Sequence, residues 1–316
     1  ATLLLAVERA FDRATAHAAV DASGAAYLCE LVTAVLRLTL LVASTLARAA
    51  DAATRAGAAA PPLLAALADL LRAELELELG GASLADAREL LHLLATLEAT
   101  LAQHGVPPER SALLDAHAVQ AAFRAWLHEQ RANFEQVLDG SFAQESWAPL
   151  TATQRVSASV VDLFQCFTQT VDFFFAVAQP SVSMARYLDW LLQEVVRAVL
   201  AYAERIQRRC GDADALLGPV DAALAARLAA LTPPALCTML NNVVSAASML
   251  EGVWANVDAG WRRAVGEGGL NRRALEDALG LLRGRWRTLT TFVARRLVAY
   301  QLGDALGAAL YARGVR

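Results

Sequence analysis

The sequence contains no lysine, and all 28 of its basic residues are arginine. Proline is scarce, with nine residues in 316, and the β-branched runs bounded by turn pairs that mark strands are missing. Alanine and leucine dominate a composition that is 56% hydrophobic, which favours helix along almost the whole chain. We read the lysine-free, alanine-rich composition as the mark of a GC-rich genome. The sequence therefore predicts an all-α fold in which neighbouring helices pack antiparallel.

Cysteine is also rare, and its pattern excludes a disulfide framework or a CxxC motif. The four isolated residues are Cys29, Cys166, Cys210 and Cys237. Unpaired thiols suit a reducing compartment, so we expect a cytoplasmic protein. The first residues lack the basic start and small-residue cleavage site of a signal peptide. Residues 28–47 come nearest to a membrane span, but Glu30 and Arg37 interrupt them, so we expect a buried helix and no transmembrane segment.

The net charge of −4 hides an asymmetry between the two ends of the chain. Residues 1–260 hold 17 arginines and 28 acidic residues, whereas residues 261–316 hold 11 arginines and 4 acidic residues. Such a basic end is a candidate patch for anionic membrane or for a partner protein. The patch consists of Arg262, Arg263, Arg272, Arg273, Arg283, Arg285 and Arg287. The alternative is a solvated helix face whose arginines pair with acidic neighbours in the same fold.

Hydrophobic residues recur at helical spacing in segment after segment, and residues 146–178 show the clearest case. There an aromatic stripe through Phe164, Phe167 and Phe174 predicts a core helix that begins between residues 151 and 160. Thr151 and Gln154 have the spacing of a capping box. Similar stripes predict long helices over 109–138 and 182–209 and a last helix ending near Ala312. Interruptions by Gly, Pro and Trp divide the chain into an N-terminal helical bundle, 1–145, and a second bundle, 146–316.

No motif in the chain predicts catalysis or a bound cofactor. One Glu-x-x-His, Glu89 to His92, lacks the second copy that a di-iron centre needs. The DDxxD segments of magnesium-dependent helical synthases are missing, and the loop Gly266–Gly269 lacks the strand and GK[ST] ending of a P-loop. Arginines around Trp286 are typical of a nucleic-acid patch, but Trp286 falls in the apolar stripe, so we expect it in the core. We predict no catalytic residue, no metal and no nucleic-acid partner.

The segment 145–178 also carries residues that a generic bundle helix does not require. An acidic residue, Trp, Pro and a Gln-Arg pair precede a serine-containing turn and a helix with Thr-x-Asp and paired Phe. These positions are Glu145, Trp147, Pro149, Gln154, Arg155, Ser159, Val160, Val161, Thr170, Asp172, Phe174 and Phe175. The segment resembles the plant-type branch of the MUN-domain family, which includes Munc-thirteen/CAPS-like vesicle priming and tethering proteins.

Two later stretches resemble the same family in the same order. One is similar to its Leu-Cys-x-x-Leu-Asn segment, through Leu236, Cys237, Leu240 and Asn241, and Thr291–Val315 is similar to a later helix ending in Leu-Tyr. The resemblance covers about 120–316 and leaves the first 110 residues unplaced. Val156 stands where the family commonly has His, and Met239 where it has Arg before Leu-Asn. Partner contacts that the family makes through those two positions are not expected here.

The resemblance implies a non-enzymatic, elongated stack of antiparallel helical bundles, similar to vesicle-tethering complex subunits. Animal relatives help prime vesicles by acting on SNARE helices, and the plant branch is associated with delivery of plasma-membrane proteins. The expected partners are helices of SNAREs or tethering subunits, with peripheral contact to vesicle or plasma membrane. Family members are far longer, which implies a fragment or an unusually short relative. Two alternatives stay open: a structural interaction module of a larger assembly, and an all-α ligand-binding bundle or enzyme.

Overall fold

The computed structural model describes residues 2–18, 24–50, 60–79, 84, 87–178, 182–210, 233–265, 270 and 272–311. Within these ranges the chain forms helices and turns and no strand, which confirms the predicted all-α class. The α-helices are α1 Thr2–Ala18, α2 Ala25–Ala50, α3 Ala60–Glu78, α4 Arg88–Gln103, α5 Pro108–Ser111, α6 His117–Gln144, α7 Ala158–Val177, α8 Ala185–Cys210, α9 Pro233–Val265 and α10 Arg273–Tyr311. Short 3-10 turns lie at Leu113–Asp115 and Val182–Met184.

Two compact units emerge from the way the helices pack. The first contains Ala1–Glu129 and Asp172–Leu188, and the second contains Gln130–Val171 and Asp189–Arg316. Each unit thus combines two separate stretches of chain, whereas the predicted division at residues 145 and 146 gives two continuous ranges. Because packing by itself does not show which part folds alone, that division stays a prediction.

The first unit is built around α2, which packs against α1, α3 and α4. Leu28, Leu31 and Val32 of α2 are fully buried, as the helical spacing of its apolar residues requires. An aromatic cluster adds to this core: Phe123 stacks on Tyr187 at 4.1 Å between ring centroids and lies 6.1 Å from Phe174. Such pairs contribute about 0.5–1.5 kcal/mol beyond the burial of their area.

The second unit takes its core from the stripes of α7, α8 and α9. The α7 stripe predicted from sequence is buried, with Phe164 and Phe167 in this unit and Phe174 in the first, and Phe167 meets Phe134 edge-on at 4.9 Å between centroids. The α8 stripe is buried as well: Leu188 belongs to the first unit, and the members in this unit are Leu192, Val195, Val199, Tyr202 and Ile206. Helices α9 and α10 pack side by side. The periodicity therefore identified the core faces of α7 and α8 correctly.

The prediction of one helix over 109–138 is wrong, because the chain breaks at Ala112, where ψ is +74°. In a continuous helix the Leu114 N–H would donate to the carbonyl of Arg110. Here that N–H donates to the Glu98 carboxylate at 2.6 Å, and the Arg110 carbonyl accepts from the Arg72 guanidinium at 3.0 Å. Two distant charged side chains thus replace one helical hydrogen bond, and the helix resumes as α6, which continues through Gly140 to Gln144.

The predicted capping box at Thr151 and Gln154 is also wrong. The Gln154 N–H does donate to Thr151 Oγ1 at 2.8 Å, but the two residues form a turn ahead of the helix. Helix α7 begins at Ala158, inside the predicted window. The Gly266–Gly269 loop lies outside the described residues.

Two described segments, Ala25–Thr45 and Ala158–Val177, are long and apolar enough to cross a membrane by length and composition alone. The core helix of a soluble protein passes the same test, and half of the second segment is buried inside the structure. The expectation of a buried helix over residues 28–47 stays a prediction.

Candidate functional site

The loop that joins α6 to α7 is organised by the carboxylate of Glu145. Its Oε2 accepts hydrogen bonds from the Ser157 hydroxyl at 2.6 Å and the Ser159 N–H at 3.2 Å, and its Oε1 accepts from the Trp147 N–H at 2.9 Å. Partial burial acts to raise the pKa of Glu145, but these hydrogen bonds outweigh it and leave the pKa below its usual value. The ionised carboxylate therefore caps the N-terminus of α7, where the helix dipole favours negative charge.

Behind this cap lies a buried polar network that joins α7, α8 and α9. The Ser157 N–H donates to Asn242 Oδ1 at 2.9 Å, and Asn242 Nδ2 donates to Ser157 Oγ at 2.7 Å and to the Tyr202 hydroxyl at 2.9 Å. The Tyr202 hydroxyl also lies 3.0 Å from Ser159 Oγ. Burial raises the pKa of Tyr202, so its hydroxyl stays protonated within the network. Because all four side chains are buried, the network fixes the helices and offers no reactive group to solvent.

Trp147 also anchors the loop between α6 and α7. Its backbone φ of +57° is the one positive value among the described residues other than glycine, a conformation that costs an ordinary residue about 1–2 kcal/mol. The buried indole offsets this cost by packing edge-on against Phe142 at 5.5 Å between centroids. Phe142 in turn lies 5.5 Å from the Tyr202 ring, which connects the loop to the network.

The eight predicted motif residues do not form one site. Trp147 and Phe174 are buried, Leu240 and Asn241 are half-buried, and the other four are exposed: Pro149, Gln154, Arg155 and Asp172. Asn241 Nδ2 donates to the Arg155 carbonyl at 3.0 Å, the one hydrogen bond between members of the set. Asp172 and Phe174 belong to the first unit and the remaining six to the second. The motif residues are therefore divided between the two units, and their structural role stays a prediction.

Sequence reasoning missed the residues at the centre of the network. Asn242, adjacent to the predicted Asn241, is fully buried and bonds to both Ser157 and Tyr202. The signal for it was available, because a polar residue one position from an apolar stripe falls near the buried face of a helix. Ser157 directly precedes α7 and had the residue type of an N-cap.

A cleft of about 700 Å³ opens beside the Glu145 cap. Its walls are the end of α6, the following loop and the first turn of α7, with Gln136, Gln144 and Leu150 among the lining side chains. Its two charged lining groups, Glu145 and Asp162, are both carboxylates. The cleft therefore suits a polar or cationic group better than an anion. Among the described residues no group of three or more His, Cys, Asp or Glu side chains could hold a metal ion.

The predicted arginine patch lies on α9 and α10, and part of it is paired. Arg262 meets Asp258 at 2.9 Å, Arg283 meets Glu251 at 3.8 Å, and Arg285 donates to Gln207 at 2.9 Å. Three other members are exposed and make no ion pair with the part of the chain that the structure describes: Arg263, Arg272 and Arg287. Arg262 and Arg263 lie in the last turn of α9, Arg272 directly precedes α10, and Arg273 is its first residue, so positive charge is concentrated at these two helix ends.

An apolar groove of about 280 Å³ runs between the same two helices. Val243, Leu279 and Leu282 form its buried floor, and Val244 and Trp286 stand at its edge with 44% and 37% of their surface exposed. The prediction that Trp286 belongs to the core is therefore wrong. Its position in the stripe brings it beside α9, but the groove leaves its ring open to solvent.

Comparison with known proteins identifies relatives of part of this chain. Residues 119–222 match a family model described as PATROL1-like, TPR repeats. Over 95 residues, 30% of this chain, the sequence is 28% identical to protein unc-13 homolog of Arabidopsis thaliana. The match spans 8% of that protein's length, so the chain corresponds to a small part of it. The plant relative agrees with the MUN-like resemblance, whereas the family model assigns 119–222 to PATROL1-like helical repeats.

Proposed function

We propose that this chain is a non-enzymatic helical scaffold of membrane traffic that binds helices of SNAREs or of tethering subunits during vesicle delivery and exocytosis. The observation that carries the proposal is the match of residues 119–222 to a helical-repeat family. Those residues include the aromatic and aliphatic stripes of α6, α7 and α8, whose side chains are buried. Helical repeats of this kind stack into extended surfaces that bind other proteins. The similarity to a plant unc-13 homolog supports a role in traffic.

The physical mode we propose is helix-in-groove recognition, in which a partner's apolar anchors enter a groove between two scaffold helices. The groove between α9 and α10 has the lining that this mode requires, with an apolar floor and an exposed tryptophan at its edge. Tryptophan and arginine are the residue types that most often dominate binding energy at protein interfaces.

The proposal also includes peripheral contact with anionic membrane in the cytoplasm. The observation in its favour is the cluster of arginines at the end of α9 and the start of α10, where Arg263 and Arg272 are exposed. Each basic residue near an anionic leaflet contributes about 1 kcal/mol, so a small cluster gives reversible binding.

Direct binding provides the test. We expect the purified chain to bind recombinant SNARE helices or tethering subunits, and depletion of the protein in its own cell to slow secretion. Proximity labelling of the full-length protein should then recover vesicle and plasma-membrane proteins. If neither class of helix binds and depletion leaves secretion unchanged, the proposal is wrong. Co-purification into a stable assembly unrelated to vesicles would instead favour a structural module of that assembly.

A further inference from the structure

The groove between α9 and α10 has the size of a pocket for side chains. Its volume of about 280 Å³ lies below the range of about 300–1,000 Å³ that is typical of small-molecule sites. The floor of Val243, Leu279 and Leu282 is apolar and offers no charged group. Such a pocket accommodates one or two apolar anchors of a larger partner.

The edge of the groove is uneven in charge. On the α10 side Arg283 lines the groove beside Trp286, and Arg287, one residue after Trp286, is exposed without an ion pair to the described residues. On the α9 side the charged residue is Glu251, which lies 3.8 Å from Arg283, so these two charges offset each other and the positive excess at the edge comes from Arg287. The edge therefore favours acidic groups beside the apolar anchors of whatever occupies it.

We propose that the α9–α10 groove docks an amphipathic helix of a partner protein, one that carries apolar anchors about one turn apart and acidic residues beside them. The inference rests on the proposed function, because it specifies the chemistry of the helix that the scaffold binds. A bilayer suits the groove less well, because the groove is a concave pocket between two helices and a bilayer surface is flat.

Two matched peptides test the inference. Each is a helix of about 20 residues, long enough to be stable in water, with leucines at positions i, i+3 and i+7. The first carries glutamates beside the leucines and its twin carries lysines. We expect the whole chain to bind the acidic peptide in fluorescence anisotropy, with affinity falling as salt rises, and to bind the lysine peptide at least about tenfold more weakly.

Single variants locate the binding. Trp286→Ala, Val244→Glu and Arg287→Glu should each weaken binding of the acidic peptide by about tenfold or more. Two substitutions serve as matched controls and should leave binding unchanged. Leu281→Glu alters a residue with 57% of its surface exposed that lies about 140° around α10 from Trp286, and Arg209→Glu reverses an exposed arginine on α8. Circular dichroism of each variant checks that the fold is intact.

Several outcomes would overturn the inference. Equal binding of both peptides, or acidic-peptide binding that the groove variants leave unchanged, would show that the groove does not select an acidic helix. Failure of the acidic peptide together with vesicle binding that Trp286→Ala abolishes would make the groove a lipid contact. SNARE or tether binding that survives all three groove variants would remove the inference and leave the proposed function. Groove-dependent binding of the acidic peptide without any SNARE or tether binding would support the groove's choice of an acidic helix and contradict the proposed function.

Discussion

A few buried polar residues hold α7, α8 and α9 together in the second unit. Asn242 and Ser157 bond to each other across 85 positions of the chain, and both are fully buried. A buried hydrogen bond adds about 0.5–1.5 kcal/mol to the free energy of unfolding, whereas leaving one partner buried and unsatisfied lowers it by about 1–3 kcal/mol. Replacing one member of the network should therefore cost more than the bonds themselves contribute, because the remaining groups stay buried.

Two adjacent asparagines give a matched comparison. Asn242→Ala leaves the Ser157 N–H buried without its acceptor and removes a donor to the Tyr202 hydroxyl, so we expect a loss of about 2–4 kcal/mol in the free energy of unfolding. Asn241→Ala removes one half-exposed bond to the Arg155 carbonyl and should cost less than about 1 kcal/mol. Urea unfolding measures both. Equal losses would contradict the assignment of Asn242 as the centre of the network.

Glu145 predicts how stability changes in acid. Its pKa in the folded state lies below the unfolded value of about 4.3, so the ionised carboxylate stabilises the fold fully above that value. The contribution is lost as pH falls through the lowered folded pKa. In urea unfolding across this range, the difference in stability between the wild type and Glu145→Gln should be constant above about pH 5 and shrink below about pH 4.

The matched control for this measurement is Asp162→Asn, which changes an exposed carboxylate at the same cleft. The free energy of unfolding of Asp162→Asn should fall in acid as much as that of the wild type. A difference between wild type and Glu145→Gln that stays constant down to pH 2 would show that the Glu145 carboxylate does not stabilise the loop.

Helix ends and helix breaks are decided by a mixture of local and distant interactions. Gly105 ends α4 with a φ of +77°, and the Val106 N–H donates to the Leu101 carbonyl at 3.1 Å, a termination that depends on glycine. The break between α5 and α6 instead depends on Glu98 and Arg72. Local chemistry thus sets the first boundary, and tertiary contacts set the second.

Replacing each of two glycines by alanine should change the free energy of unfolding in opposite directions. Gly105→Ala places a Cβ in a left-handed conformation and should cost about 1–2 kcal/mol. Gly140→Ala lies inside α6, where a Cβ would meet no atom within 4 Å, and should stabilise the protein by about 0.5–1 kcal/mol. Thermal and urea unfolding measure both changes. A destabilising Gly140→Ala would mean that α6 is not regular helix at that point.

The distribution of charge is a property of the whole molecule. The chain is acidic overall, yet its arginines are concentrated towards the C-terminal end of the sequence. Four of them lie at the end of α9 and the start of α10. Some patch arginines are paired with acidic neighbours, so the effective positive charge is smaller than the sequence indicates. Arg263, Arg272 and Arg287, which make no ion pair with the described residues, decide whether the patch attracts anionic surfaces.

Vesicle co-sedimentation tests that attraction. We expect the whole chain to bind phosphatidylcholine vesicles that contain phosphatidylserine, to ignore vesicles of phosphatidylcholine alone, and to lose binding steeply as salt rises. Arg263→Gln combined with Arg272→Gln should weaken binding several-fold, whereas Arg209→Gln on α8 should not. Equal binding to both kinds of vesicle, or binding to neither, would contradict the patch.

The sequence by itself determined the all-α class, the buried faces of α7 and α8 and the glycine that ends α4. These features follow from side-chain periodicity and backbone preference within a few residues, so they can be read without knowing the neighbours. Only the tertiary structure decided that Asn242 and not Asn241 is buried in the network, that Glu98 interrupts a helix, and that Trp286 opens onto a groove. Each depends on a group far away in sequence, because a polar atom's partner and a side chain's exposure are set by which helices pack against it.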